Sequence, residues 1–273
     1  MSAVPEPLVP AQRAQGRLDL ALAHDGVQTR LDRFYQEGCL KARLLRGGAG
    51  HELVALNISG GIAGGDSLET SLDLAPRARA LFTTQAAERV YRALDDAPAR
   101  VATRLRLGAC ARLDYLPQET ILFDGFALTR ELDIELAADA TFLGVESLIF
   151  GRLAMGEQVR AGALHDRISI RREGRMLWKD ITRLEGDMAA RLDRAGIGAG
   201  ARAVASIFGV GPGFAARLPD LRAALDGASA GASAFEGMVL ARILAPDGAA
   251  LRRVLARALQ VLRGRALPRV WQG

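Results

Sequence analysis

Three times the chain repeats a strand, a tight turn of small residues and a second strand. This repetition restricts the fold more than any other feature. The segment LDLAPRARA starting at Leu72 aligns with LRLGACARL from Leu105 and with IELAADATF from Ile134. Each strand alternates apolar and polar residues. Leu68, Leu72 and Leu74 fall opposite Glu69, Ser71 and Asp73, and Leu132, Ile134 and Leu136 fall opposite Glu131, Asp133 and Glu135. Period two means strands with one buried face. Such strands belong to antiparallel or mixed sheets rather than a doubly wound parallel one. Recurrence of one supersecondary unit predicts stacked layers sharing a core. The competing reading is a meander that merely repeats its hairpins.

After about residue 196 the texture changes. Ala203–Val210 and Met238–Leu244 read as strands, and Phe214–Leu225 and Gly248–Leu262 as helices. In the last helix Leu251, Val254, Leu255, Ala258, Leu259 and Leu262 form one apolar stripe, and Gly264 then Pro268 supply its stop. The fold expected is mainly β, with layered antiparallel and mixed sheets in the manner of a β-solenoid. A small C-terminal α+β portion carries two helices. The divisions are a flexible arm over residues 1–16, a repeated β-layer domain over 17–195, and the α+β portion over 196–273 packed on it.

The net charge of +5 comes almost wholly from arginine, with only Lys41 and Lys179 as lysines. Heavy Ala, Arg and Gly use reads as genomic composition, so the high pI carries no argument for nucleic acid. The few aromatic residues offer no stacking platform. Cys39 and Cys110 lie too far apart to suggest a disulfide framework. No apolar run approaches the length of a membrane span, and no signal segment is visible. A cytoplasmic protein is expected.

Two glycine loops invite nucleotide readings. Gly60–Asp66 lacks the Gly-Lys-Ser/Thr ending that a phosphate loop needs. Gly209, Gly211 and Gly213 follow a strand, but Phe214 stands where a third fingerprint glycine belongs and Pro212 removes an N–H. An enzyme or nucleotide-binding protein using Gly209–Gly213 is the alternative function. The histidines His24, His51 and His165 are scattered, and none has a His or Cys partner at metal-site spacing; Cys39 and His51 could meet in space, but nothing in the sequence demands it.

If the layers stack, Thr84, Gln85, Gln118, Glu119 and Glu146 gather in a polar column. Each could equally satisfy a turn backbone. Asp66 either bonds its own turn or walls a polar passage. Glu119, Asp124, Glu146 and Glu157 could give a low-affinity oxygen-lined path for a divalent ion. Trp271 is either a partner anchor or a residue folded back on the core.

Several long segments resemble the UreD (UreH) family of urease accessory proteins. They are Asn57–Asp66, Thr83–Arg92, Leu116–Gly125, Glu146–Glu157, Gln36–Cys39 and Leu267–Trp271. The resemblance covers nearly the whole chain. Ile58-Ser59 and Ile62-Ala63 depart from the family's Thr-Ala and Leu-Thr, and Leu40 follows Cys39 where some members carry histidine. The resemblance implies a non-enzymatic scaffold with a mostly β fold. It implies UreF-type and UreG-type accessory proteins and apo-urease as partners, and help for nickel in reaching the urease active site. No cofactor is held tightly; Ni2+ passes transiently, through a route that includes this protein. Tyr91, Arg92, Met155 and Trp271 are the candidate partner contacts.

Overall fold

The computed structural model describes residues 13–47, 50–95 and 97–272. The chain opens with β1 (Gln15–His24), β2 (Thr29–Gly38), β3 (Leu40–Gly47) and β4 (Gly50–Asn57). The repeat follows as β5 (Ser67–Leu74), β6 (Arg79–Thr84) and β7 (Glu88–Val90), then β8 (Ala99–Leu107), β9 (Arg112–Leu116) and β10 (Thr120–Leu122), then β11 (Phe126–Leu136) and β12 (Thr141–Phe150). β13 (Gly162–Arg172), β14 (Arg175–Glu185) and α1 (Met188–Asp193) come next. The chain ends with β15 (Ala203–Val210), α2 (Leu218–Ala224), β16 (Ser229–Phe235), β17 (Met238–Ala245) and α3 (Gly248–Arg263).

The repeated units stack; they are not hairpins. The first strand of each copy lies in a 7-stranded sheet ordered β14-β13-β11-β8-β5-β1-β2. The second strand lies in a 10-stranded sheet that contains β16-β17-β15-β12-β9-β6-β4-β3, with β10 and β7 continuing beside β12. The chain therefore crosses between sheets at each turn of small residues. Neighbouring copies are parallel and in the register the repeat implies: Leu72 faces Leu105, and Leu105 faces Ile134. β1 and β13 extend the row, placing Leu20 beside Leu72 and Ile170 beside Ile134. All five side chains are buried. Full burial of each such aliphatic side chain contributes about 1.5–3 kcal/mol.

The turns need tight backbone. Arg77 and Cys110 both adopt positive φ, at 65° and 57°. The small neighbours Ala78, Ala111 and Ala140 are buried where the chain enters the second sheet.

The 10-stranded sheet is covered on both faces. Its inner face meets the 7-stranded sheet in one core that includes Leu113, Phe142 and Phe208. Its outer face packs under α2 and α3 in a second core with Leu116, Leu143, Ile207 and Leu255. Asp247 caps α3 by accepting from the Ala250 N–H at 2.7 Å, and Gly264 ends it at φ 66°. Leu251, Leu255, Ala258, Leu259 and Leu262 are the buried stripe.

Two details differ from the sequence expectation. α1 is a third helix, capped by Asp187. The Phe214–Leu225 helix begins as a 3-10 turn over Ala215–Arg217 and becomes α2 only at Leu218, next to Pro219. Most of the expected arm over residues 1–16 lies outside the described residues. Its end is fastened: the Ala14 N–H donates to Asp66 Oδ1 at 2.7 Å, and β1 starts at Gln15. No helix among the described residues is long and apolar enough to cross a membrane.

Candidate functional site: a chamber between the sheets

The sandwich is dry near the turns and hollow at its other end. Rows across the 7-stranded sheet show the change. The row Leu20, Leu72, Leu105, Ile134 and Ile170 is wholly apolar. The next inward-facing row reads Leu18, Thr70, Thr103, Leu132 and Ile168. The row beyond reads Leu68, Val101, Arg130 and Asp166.

The opposing sheet loosens at the same level. β6 ends at Thr84 and β7 starts at Glu88; β9 ends at Leu116 and β10 starts at Thr120. Two ladder breaks, at 85–87 and 117–119, therefore lie side by side. Side chains replace the missing ladder bonds. The Gln118 N–H donates to Thr84 Oγ1 at 2.9 Å, and Thr83 Oγ1 donates to Leu116 O at 2.6 Å. The backbone bridges the breaks once more, from Glu88 N to Glu119 O at 2.8 Å.

A cavity of about 280 Å³ occupies this end. Thr84, Gln85 and Gln118 line it from the breaks, Thr103 and Arg130 from the 7-stranded sheet, and Glu88 and Glu146 from the 10-stranded one. Burial pushes the Glu88 carboxyl above the ordinary range, partly countered by Asn57 Nδ2 donating to it at 3.2 Å. A second cavity of about 370 Å³ adjoins, lined by Glu146, Asp166, Asp180, Ser206 and Arg242.

Between the cavities sits a buried ion triad. Arg130 grips Asp166 with both Nε and NH2, at 2.9 and 2.7 Å, and Glu146 with NH1 alone, at 2.6 Å. Desolvation pushes the Glu146 carboxyl up. Arg130 opposes this, and the nearby charge of Asp166 reinforces it. Tyr115, deeply buried against the same group, has its phenol held far above the usual range by loss of solvent.

The predicted residues therefore divide. Thr84, Gln85, Gln118 and Glu146 share the chamber. Glu119 turns toward α3, where Arg252 NH1 donates to Glu119 Oε1 at 3.0 Å and to Gln118 Oε1 at 2.7 Å. Asp66 accepts from the Ala63 N–H at 2.8 Å as well as from Ala14, closing the Gly-rich loop. Glu157 binds Arg152 at 2.8 Å, and Asp124 takes the Arg160 and Ala161 N–H groups at 2.8 and 3.0 Å. Both lie by an open groove with Tyr91, Arg92 and Leu94. Met155, 75% exposed, stands beside that groove.

Trp271 is not an exposed anchor. It is buried under α3, its Nε1 donates to Leu116 O at 3.0 Å, and Arg252 stacks on its ring at 4.9 Å. Cys39 is buried, and burial raises its thiol pKa, which disfavours the thiolate a metal needs. Among the described residues no group of three His, Cys, Asp or Glu side chains is arranged to hold a metal. In the Gly209–Gly213 loop, a Cβ on Gly209 would stand 2.6 Å from the Phe214 ring, and Gly211 has φ 124° against the Ala140 carbonyl. These glycines serve packing.

Sequence reading missed Arg130, Asp166, Glu88 and Tyr115. The first two carried a signal. Arg130 stands on the apolar face of Phe126, Leu128, Leu132, Ile134 and Leu136, and Asp166 on that of Leu164, Ile168 and Ile170. A charge in an inward register position demands a partner.

The chain is a layered β scaffold whose inner charges are paired with one another. The profile of the UreD urease accessory protein family matches residues 14–272. A urease accessory protein UreD of Paracoccus denitrificans is 45% identical over 264 residues, covering 96% of this chain and 93% of the relative. One of Methylobacterium sp. (strain 4-46) is 44% identical across 100% of both chains. One of Xanthobacter autotrophicus is 44% identical over 95% of this chain and 90% of its own length. The chain belongs to the UreD urease accessory protein family. Members are accessory proteins rather than catalysts, and this chain is no enzyme.

Proposed function

We propose that this protein is a maturation scaffold for urease, acting in the cytoplasm. It joins apo-urease to UreF-type and UreG-type accessory proteins and helps nickel enter the urease active site. The ion passes transiently, and no cofactor stays bound. The reading is supported first by membership of the accessory family over nearly the whole chain.

The observation that carries the passage reading is the chamber at the paired ladder breaks. Glu88 and Glu146 face it, and Asn57, Thr84, Gln85, Thr103 and Gln118 add hydroxyl and amide groups to a wall that is otherwise largely apolar. Such oxygen ligands suit a weakly held divalent ion that must move on. The groove by Tyr91 and Arg92, with Leu94 at 83% exposure and Met155 at its edge, supplies an apolar and charged surface for a protein partner.

Co-purification tests the scaffold. The folded protein should capture a UreF-type protein and apo-urease, and its deletion should leave urease poor in nickel. A folded sample that binds neither, with urease fully active in its absence, overturns the proposal.

A further inference from the structure

We propose that Arg130 is the gate of the passage, a mobile guanidinium that a metal cation must lift off Glu146 to cross between the two chambers. This rests on the passage reading.

The geometry is asymmetric. Arg130 lines the first chamber, Asp166 lines the second, and Glu146 lines both. Arg130 and Asp166 are in-register neighbours on the parallel strands β11 and β13, and the fork of Nε and NH2 ties them. Bidentate pairing of this kind is the stronger and more directional contact. Glu146 comes from the opposite sheet and is held through NH1 alone. Guanidinium rotation that keeps the Asp166 fork therefore releases Glu146 first. The triad also carries two carboxylates and one cation. It has room for a second positive charge, and Glu146, common to both chambers, is the oxygen ligand a crossing ion meets. Other groups facing the junction are Tyr115 on β9, Thr120 on β10 and Ser206 on β15. The other cation at this level is Arg242, beside Ser206 on β17, which lines the second chamber and is paired with Asp180. A guanidinium held to Glu146 by one arm, against two for Asp166, thus decides which ions pass: those that bind a carboxylate more tightly than one arm of a guanidinium does.

The test uses the full chain in complex with its accessory partners and apo-urease, supplied with equal nickel(II) and zinc(II). Metals on urease are counted by mass spectrometry, and complex integrity by size-exclusion chromatography. Arg130→Gln alone leaves two buried carboxylates without a cation and risks misfolding. Arg130→Gln with Asp166→Asn removes the gate together with the carboxylate that anchors it, and keeps Glu146. With the gate open, metal loads several-fold faster and the zinc share on urease rises. Adding Glu146→Gln to that pair should reduce loading to the level of a chamber-filling control, Thr103→Trp. If Thr103→Trp loads nickel normally in an intact complex, the passage reading fails. If Thr103→Trp blocks loading while the Arg130 and Asp166 pair keeps the parental rate and the parental nickel-to-zinc ratio, the passage stands and the gate is overturned.

Discussion

Ile134 and Arg130 sit on the same inward face of one strand, and their surroundings differ completely. Ile134 joins an apolar row that runs unbroken from Leu20 to Ile170, closed by the small-residue turns. Arg130 faces a level where both ladder breaks lie and where the space between the sheets is open. The turn end maximises apolar burial, whereas the chamber end keeps hydroxyls, amides and charges inside the sandwich. Packing alone would not retain a buried ion triad, since apolar residues of similar volume are often as stable. The chamber end is therefore the part of the fold whose composition apolar packing does not explain.

The largest expected effect comes from Arg130→Ala. It strands Glu146 and Asp166 as buried unpaired charges and should cost about 3–5 kcal/mol in chemical denaturation. The neutral set Arg130→Met, Glu146→Gln and Asp166→Asn should regain most of that loss. A single variant that stays as stable as the parent would show that water already reaches the triad.

The two ends are compared most directly on β8. Leu105→Ala removes a fully buried side chain from the apolar row and should cost about 2–5 kcal/mol. Thr103→Ala, on the same face beside the chamber, should cost about 1 kcal/mol. Equal losses would mean that the chamber wall is packed as tightly as the turn end.

A smaller effect depends on pH. The folded-state pKa of Glu88 is raised, so the folded protein holds a proton there that the unfolded chain has already released. Its contribution is present below the unfolded pKa and is lost as pH rises through the folded value. The parent should therefore lose stability relative to Glu88→Gln as pH climbs from the acid side toward neutrality, seen as a narrowing or reversing Tm difference. A constant difference would place Glu88 in contact with solvent.

Smallest for stability is Met155→Ala, within about 0.5 kcal/mol of the parent. The same variant should weaken capture of a protein partner in a pull-down. Full capture would remove the groove by Tyr91 from the interface.

Much of the architecture was legible because repetition and register say the same thing: aligning Leu72, Leu105 and Ile134 in sequence gives the row seen in space. What was hidden has physical reasons. β7 and β10 are three residues each, too short to show a period. β16, Ser-Ala-Gly-Ala-Ser-Ala-Phe, has little apolar alternation to detect. α1 is a six-residue helix whose burial rests on Met188 and Leu192. For the site, the polar column was half visible. Thr84, Gln85, Gln118 and Glu146 do line one cavity. Spacing alone could not separate them from Glu119, which shares Arg252 with Gln118 but does not line the cavity, or from Asp66, which closes a loop and fastens β1. The inward register of Arg130 was readable, but its partners Asp166 and Glu146 lie on other strands, 36 and 16 residues away in sequence.

The central claim is that the chamber exists to move nickel and not to hold the protein together. The direct measurement is the nickel bound per urease after activation by a Glu88→Gln and Glu146→Gln variant, taken with the size-exclusion profile of the same complex. The account predicts an assembled complex of parental size whose urease holds much less nickel. An assembled complex delivering the full nickel complement would contradict it.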